Sequence, residues 1–372
     1  MRASRWSKTL VVAVGLSLVA AACGDDDETS TDDPTDETTT APEGEPTGDF
    51  LGCQVTDTGG VDDNSFNETA FAGLESAADE LGFEPAVLES QSDADFAPNI
   101  NAHIENGCDI VVTVGFLLGD ATAAAAEANP DQLFAIVDFD FFDSDAGTDI
   151  TFDNVKELTF STDEAAFLAG YLAAATSETG TVGTYGGINI PTVTIFMDGM
   201  LAGIEFYNEE TGEDVQLVGW DGTDGSFTGN FESTEDGRLI TEQLLDQGAD
   251  IIMPVAGPVG QGTIEAINAG GGGERVIWVD TDGCVSVPDA CDLFLTSVMK
   301  NMDVAVHDAV ISASDGSFEG GVYLGTLENE GVGLAPLNEY EDDVDQEIQD
   351  RIAELQEQII SGEVAVESYL AK

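Results

Sequence analysis

Residues that could bind a small molecule follow the apolar, strand-like runs of this sequence. Three carboxylates, two Gly-containing pairs and one Trp-Asp pair stand at these ends: Asp57, Asp138, Asp280, Gly115-Phe116, Ala256-Gly257 and Trp220-Asp221. Carboxylates accept hydrogen bonds from hydroxyl groups, glycines let the backbone approach a ligand closely, and aromatic rings stack on flat rings. The pattern predicts a site for a ligand that carries hydroxyl groups and a flat ring.

Two further segments carry candidates for the same site. Residues 61–67 read Val-Asp-Asp-Asn-Ser-Phe-Asn and open a predicted helix, where the acidic and hydroxyl groups could cap the helix or bind a polar ligand. Lys300 stands at a predicted helix start in the middle of a chain that has few basic residues. It could be a solvated surface side chain or a ligand-binding residue.

Motifs for catalysis or phosphate binding are missing. The sequence has no Gly-x-Ser-x-Gly, His-Glu-x-x-His or Cys-His arrangement. The glycine-rich residues 254–262 lack the Gly-Lys-Ser/Thr of a nucleotide-phosphate loop. With two histidines and no Cys-x-x-Cys, we expect no metal and no cofactor. Binding is favoured over catalysis, although the abundant carboxylates leave a glycosidase-like pair possible in principle.

The elements that must position these residues alternate along the chain. Strand-like and helix-like segments follow one another from Leu51 to Asp138 and again from Glu164 to Asp280. Such alternation predicts an α/β protein with parallel sheets covered on both faces. In sheets of this kind, ligands bind beyond the carboxyl ends of the strands. The two units of similar size predict two similar lobes.

The N-terminus predicts export. Residues 1–22 combine a basic start with an apolar run that is too short to span a bilayer, which indicates a signal peptide. Small residues precede Cys23, so we expect the chain to be cleaved before Cys23 and lipidated there; cleavage of an ordinary secretory peptide after Ala22 is the alternative. Residues 23–49 are acidic and almost free of apolar side chains, which predicts a disordered tether.

The charge balance excludes nucleic acid as a partner. The sequence has 74 acidic and 9 basic residues, for a net charge of −65, and three of the basic residues lie in the predicted signal peptide. The acids are spread along the chain. This distribution favours adaptation to high salt, where screening removes self-repulsion, over calcium storage, because no segment has EF-hand spacing.

Four cysteines remain after Cys23, and export permits disulfides. Cys284 and Cys291 are close in sequence and could close a small loop. Cys53 and Cys108 each begin a strand-like run and could be joined if the two strands are neighbours.

Together these segments resemble the basic membrane protein family of ABC-transporter substrate-binding lipoproteins, whose purine-nucleoside receptors are its best-understood members. The resemblance is collinear from about Phe50 to Leu334. It is carried by eight ordered segments: Asp62-Asp63-Asn64-Ser65-Phe66-Asn67, Gly115-Phe116, residues 164–170 (Glu-Ala-Ala-Phe-Leu-Ala-Gly), Ser226-Phe227, Gly248-Ala249-Asp250, Ala256-Gly257, Val279-Asp280-Thr281-Asp282 and Thr296-Ser297-Val298-Met299-Lys300. Asn64 stands where a basic residue is common, and Met200 where an aromatic residue is common.

The resemblance implies a type I periplasmic-binding-protein fold, in which two Rossmann-like lobes joined by a three-crossover hinge close on a ligand. It places residues 50–160 and 293–317 in the N-terminal lobe and residues 161–292 and 318–372 in the C-terminal lobe. The chain would cross between lobes near Ser161, Asp292 and Phe318.

The resemblance also implies roles for individual residues. Phe71 and Phe227 would hold a nucleoside base from its two faces, with Asp62, Asp63 and Asn67 beside the base. Asp280 would accept hydrogen bonds from the ribose hydroxyls, with Lys300 beside it. Gly257 would let the backbone approach the sugar, and Asp138 and Phe116 are further candidates.

The predicted function is that of a monomeric, lipid-anchored binding protein that captures a nucleoside outside the cell membrane and delivers it to ABC permease subunits. Three alternatives stay open: a sugar or another small polar metabolite as the ligand, a nucleoside sensor without transport, and a surface nucleosidase.

Overall fold

A computed structural model describes residues 50–143 and 148–367 of the 372-residue chain. The predicted signal peptide at residues 1–22, the predicted lipidation site Cys23 and the predicted tether at residues 23–49 lie outside the described residues. Within the described ranges, no helix combines the length and the apolar character that crossing a membrane requires.

Up to Phe160 the chain alternates strands and helices. The strand β3 is β-branched throughout and fully buried, because Ile110, Val112 and Val114 face one hydrophobic core while Val111 faces another. The elements of this segment are β1 Gly52–Val55, α1 Phe66–Leu81, β2 Ala86–Leu88, α2 Asp93–Glu105, β3 Ile110–Val114, α3 Gly119–Ala128, β4 Leu133–Val137, β5 Phe142–Asp143, β6 Thr148–Asp149 and β7 Val155–Phe160.

The same rhythm continues to Lys300. The elements here are α4 Thr162–Thr176, β8 Thr181–Gly186, α5 Pro191–Thr211, β9 Gln216–Val218, α6 Thr234–Asp246, β10 Ile251–Val255, α7 Gln261–Gly270, β11 Arg275–Asp280, α8 Gly283–Ser286 and β12 Phe294–Lys300. Helix α5 begins with Pro191, whose missing N–H is not needed in a first turn. It is capped after Thr211 by Gly212, which lies in the left-handed region with φ 79°.

The last part of the chain contributes to both lobes. Its elements are α9 Met302–Asp315, β13 Gly321–Gly325, β14 Val332–Leu334 and α10 Gln346–Ile360. β5 and β6 pair with each other, and the other described strands form two six-stranded sheets, in the orders β13-β7-β4-β3-β1-β2 and β14-β12-β11-β10-β8-β9. All neighbours in them are parallel except β12 and β14. The predicted two-lobed α/β architecture is confirmed.

The crossings between the two sheets correct two predicted boundaries. The chain leaves the first sheet after Phe160, returns after Lys300, and leaves it again after Gly325. The second and third crossings were predicted near Asp292 and Phe318. The second is later because β12 pairs with β11 and therefore belongs to the C-terminal sheet. The third is later because β13 pairs with β7 in the N-terminal sheet.

Helices α4 and α5 form the tightest helix pair of the C-terminal lobe. A Cβ atom on Gly170 would lie 2.2 Å from the carbonyl oxygen of Met200, and one on Gly203 would lie 2.0 Å from the carbonyl oxygen of Phe167. Only glycine permits this approach. The close pairing with α5 contributes to the burial of α4, in which twelve of the fifteen residues are buried.

Disulfides join Cys53 to Cys108 and Cys284 to Cys291. The first pair links β1 to the residues just before β3, its neighbour in the sheet. The second joins Cys284, in α8, to Cys291 seven residues later.

The two disulfides should differ in their effect on stability. The bond Cys53–Cys108 spans 55 residues and Cys284–Cys291 spans 7, so constraint of the unfolded chain contributes about 4 and about 2 kcal/mol respectively. We expect the double variant Cys53→Ala/Cys108→Ala to lose more free energy of unfolding than Cys284→Ala/Cys291→Ala in urea titrations at fixed salt. Equal losses would contradict the loop-length argument.

Candidate functional site

A cavity lies between the carboxyl ends of the two sheets. It contains about 550 Å³ of space free of protein atoms, part of it open to solvent. The N-terminal lobe lines it with Asp57, Gly59, Asp63, Phe66, Asn67, Gly115, Phe116, Leu117 and Asp138. The C-terminal lobe contributes Ile190, Thr192, Val193, Phe196, Phe231, Val255, Ala256, Gly257, Pro258 and Asp280, and Lys300 lies at the second crossing.

Lys300 forms an ion pair with a carboxylate from each lobe. Its Nζ lies 2.6 Å from Asp138 Oδ2 and 3.4 Å from Asp280 Oδ1, and 2% of its side chain is exposed. Burial acts to lower the pKa of Lys300, but the two carboxylates outweigh burial and raise it. The ammonium group is therefore charged at any physiological pH.

Three aromatic rings complete the surroundings of the Lys300 ammonium. Its Nζ lies 4.8 Å from the ring centroid of Phe66, 5.3 Å from that of Phe196 and 5.9 Å from that of Phe160. The negative faces of aromatic rings attract a cation at such distances. Phe66 belongs to the N-terminal lobe and Phe196 to the C-terminal lobe, so the lysine holds groups of both lobes around one charge.

Asn67 connects two buried carboxylates on the N-terminal side of the cavity. Its Nδ2 donates to Asp57 Oδ1 at 2.8 Å and to Asp63 Oδ2 at 3.1 Å. Its Oδ1 is buried and accepts no hydrogen bond from the protein. An acceptor without a partner in a buried position is costly unless a ligand satisfies it, so Asn67 is suited to accept from an N–H or O–H group in the cavity.

Asp63 occupies the N-terminus of α1. Its carboxylate accepts from the backbone N–H groups of Ser65, Asn67 and Glu68. These donors favour the ionised form, but burial is the larger effect and raises the pKa of Asp63 to about 7. Burial likewise raises the pKa of Asp57, against its hydrogen bonds from Asn67 and Gly59.

Two of the strand-end carboxylates have unusual backbone conformations. Asp138 and Asp280 have φ values of 62° and 71°, in the left-handed region that favours glycine. Such strain persists where the surrounding structure fixes it, and it is concentrated at binding sites. Here it accompanies two carboxylates that both contact the same ammonium group.

Seven of the ten candidate residues line this cavity: Asp63, Asn67, Phe116, Asp138, Gly257, Asp280 and Lys300. Lys300 was predicted at a helix start, but it is the last residue of β12, and α9 begins two residues later. Most of the residues predicted at strand ends come together in this cavity, whereas Trp220 and Asp221 do not line it.

The other three candidates do not line the cavity. Phe71 packs against the main hydrophobic core, on the face of α1 that also carries Leu74. Phe227 packs edge-to-face on Trp220, with ring centroids 6.0 Å apart, and covers Gly186. Asp62 is exposed to solvent. The predicted base-stacking pair of Phe71 and Phe227 is therefore wrong.

Phe66 and Phe231 line the cavity where Phe71 and Phe227 were expected. Phe66 is in the Asp62–Asn67 segment that carried the resemblance, five residues before Phe71. Phe231 follows Phe227 by four residues, in the irregular segment before α6. Asp57, which the sequence marked because it directly follows the first predicted strand, also lines the cavity.

One group of described side chains brings possible metal-ligand atoms within 4.8 Å of one another: Cys53, His103 and Cys108. The two sulfurs are joined in a disulfide and so are not available as thiolate ligands.

Comparisons with known proteins agree with this architecture. A family model described as PnrA-like ABC transporter substrate-binding protein (Bmp) matches residues 51–369. The chain is 30% identical to the CD4+ T-cell-stimulating antigen of Listeria innocua, over 96% of both chains. It is 31% identical to the ABC transporter nucleoside-binding protein BmpA of Lactococcus lactis, over 86% of this chain and 90% of the relative.

A solved structure of a solute-binding protein of an ABC transporter system, from Aeropyrum pernix K1, superposes with a TM-score of 0.75. The two are 28% identical, over 85% of this chain and 92% of that one. This likeness confirms the predicted type I periplasmic-binding-protein fold, and the match of the family model over most of the sequence confirms the family resemblance. The chain therefore belongs to the Bmp family of PnrA-like ABC-transporter substrate-binding proteins.

Proposed function

We propose that this chain is a lipid-anchored receptor that binds a nucleoside between its two lobes and presents it to ABC permease subunits. The observation that carries the proposal is the composition of the cavity. Aromatic rings come from both lobes, with Phe66 and Phe116 on one side and Phe231 on the other, and buried carboxylates lie beside them. A flat ring with attached hydroxyl groups matches both features.

The polar groups divide into two sets that suit the two halves of a nucleoside. Asp57, Asp63 and Asn67 form one set on the N-terminal lobe, where acceptors could bind the N–H groups of a base. Asp138, Asp280 and Lys300 form the other, where carboxylates could accept from ribose hydroxyls and the ammonium could donate to a ribose oxygen.

The same cavity disfavours phosphorylated ligands. Four buried carboxylates line it (Asp57, Asp63, Asp138 and Asp280), and Lys300 is already paired with two of them. A phosphate would add negative charge without an available cation. The relative named as a nucleoside-binding protein supports a nucleoside over a nucleotide.

Lipidation and export also belong to this proposal. The anchor would be Cys23, after cleavage of residues 1–22, and residues 23–49 would act as the tether. Growth of a producing strain with labelled fatty acid should label the wild type and not Cys23→Ser. Labelling of both would remove Cys23 as the anchor.

The ligand itself can be identified without assumptions. Protein purified at high salt should release a purine nucleoside on denaturation, detected by mass spectrometry. A released sugar would favour the sugar-binding alternative. Appearance of free base during incubation with a nucleoside would favour the nucleosidase alternative.

Transport and sensing are separated by measuring nucleoside uptake in cells with and without the chain. Uptake that depends on the chain would favour transport.

Replacing Phe231 by alanine should weaken nucleoside binding roughly 10- to 100-fold, because one stacking face is lost. Phe227→Ala is the matched control: it removes a ring of the same size, four residues away, which packs on Trp220 rather than on the cavity. Calorimetric titration of both variants measures the difference. Wild-type affinity in Phe231→Ala would remove this ring from the site.

A further inference from the structure

Ser65 precedes the first residue of α1, yet its hydroxyl does not cap the helix. A serine in this position ordinarily accepts a hydrogen bond from a backbone N–H of the first turn. Here its side chain makes no capping hydrogen bond. The Asp63 carboxylate accepts from the N–H groups of Asn67 and Glu68 instead. The hydroxyl of Ser65 is therefore available for another contact.

That contact crosses from one lobe to the other. Ser65 Oγ donates to Asp280 Oδ2 at 2.8 Å and lies 3.3 Å from the carbonyl oxygen of Val279. Ser65 belongs to the N-terminal lobe, whereas Val279 and Asp280 end β11 of the C-terminal lobe. The hydroxyl is fully buried, so this hydrogen bond does not compete with water while the lobes are together.

A second hydrogen bond crosses the same boundary one residue away. Trp278 Nε1 donates to the carbonyl oxygen of Asn64 at 3.3 Å. Asn64 has a φ of 56°, in the left-handed region, at the turn that presents this carbonyl. The Trp278 ring is otherwise packed in the C-terminal lobe, against Phe294 at 5.5 Å between centroids.

We propose that Ser65 and Trp278 form a latch that holds the two lobes closed and makes closure depend on the position of Asp280. The inference rests on the proposed function, since Asp280 lines the cavity in which the ligand would bind. Asp280 would accept from Ser65 through Oδ2 and contact Lys300 through Oδ1, which fixes the orientation of its carboxylate. Ser65 is thus a positioning residue, and Trp278 adds a contact outside the cavity.

The latch has a kinetic consequence. Its hydrogen bonds exist only while the lobes are together, so they favour the closed state over the open state. Loss of the latch should speed ligand release and leave association nearly unchanged. Ser65→Ala should raise the dissociation rate roughly tenfold, because the hydroxyl donates to a carboxylate. Trp278→Phe keeps an aromatic ring and should raise that rate about threefold.

Closure can be measured without a ligand. In the full chain carrying Cys23→Ser, fluorophores on Glu84→Cys and Glu213→Cys would label exposed positions of the N-terminal and C-terminal lobes. We expect Ser65→Ala and Trp278→Phe each to shift the energy-transfer efficiency of the free protein toward the open state. The matched control is Ser90→Ala, which removes a buried hydroxyl bonded within the N-terminal lobe to Asn99.

The outcomes separate the latch from the proposed function. If the wild type binds no nucleoside, the proposed function fails, but the energy-transfer shift in the free protein still tests the latch. Energy transfer and guanosine dissociation rates that match the wild type in both Ser65→Ala and Trp278→Phe would overturn the latch. Should Ser65→Ala fail to fold, Trp278→Phe decides alone, because its change leaves Asp280 and the cavity untouched.

Discussion

Replacing Lys300 by methionine is expected to abolish measurable ligand binding and to lower the free energy of unfolding by roughly 3–5 kcal/mol. Methionine has similar length but no charge, so Asp138 and Asp280 would be left buried without a cation. Uncompensated charge in a buried site is strongly destabilising. Calorimetry for binding and urea unfolding for stability measure the two effects separately.

Lys156→Met is the matched control for this variant. Lys156 lies on β7, is partly exposed and does not line the cavity. The control should bind like the wild type. The stability deficit of Lys300→Met should also shrink on acidification, because burial raises the pKa of Asp138 and its protonation removes uncompensated charge. A variant that binds normally and unfolds like the wild type would contradict the role given to Lys300.

Asp63 should make the stability of the protein fall as the pH rises. Its pKa is about 7 in the folded chain against an ordinary value of 3.8, so between these values the folded state holds a proton that the unfolded state has released. Stability is therefore highest below pH 4, falls up to about pH 7 and then levels off as far as this group is concerned. Between pH 5 and pH 8 the loss amounts to about 3 kcal/mol.

The contribution of Asp63 can be separated from that of the other acids by comparison with Asp63→Asn. The asparagine variant should be less stable than the wild type at pH 5, and this deficit should shrink by about 3 kcal/mol at pH 8. Asp62→Asn, at the exposed neighbouring position, should leave the pH profile unchanged. A deficit of the same size at both pH values would mean that Asp63 stays ionised throughout.

The sequence was sufficient for the architecture and for the strand-end part of the site. Asp138 and Asp280 were identified because each follows a buried run, and parallel strands direct their carboxyl ends to one edge. This rule needs only the order of the elements. It does not depend on the distances between segments, and it selected both Asp138 and Asp280, which line the same cavity from different lobes.

The aromatic residues could not be assigned in the same way. Phe71 has the helical spacing of Leu74 and Ala78, which indicates the core-facing side of α1, and the core is where it lies. Phe66, at the first turn, is directed toward the cavity by the position of the helix start. Between β9 and α6 the chain has no regular period, so spacing could not decide between Phe227 and Phe231.

The second and third crossings between the sheets were misplaced for a related reason. Residues 294–300 form an apolar strand that fits either sheet by composition, and the choice is made by pairing with β11. The latch was also beyond prediction, because Ser65 and Asp280 are separated by 215 residues and meet only when the lobes are together. From the sequence alone, a serine directly before a helix is expected to cap it. In the structure the Asp63 carboxylate accepts from the first-turn N–H groups instead.

The most direct test is calorimetric titration of the folded chain, at high salt, with guanosine, inosine and adenosine in turn and with ribose as the comparison. The account predicts a saturable heat with at least one purine nucleoside, no comparable heat with ribose, and nucleoside binding weakened roughly 10- to 100-fold in Phe231→Ala. Absence of heat with every nucleoside, in a sample shown to be folded and free of bound ligand, would contradict it.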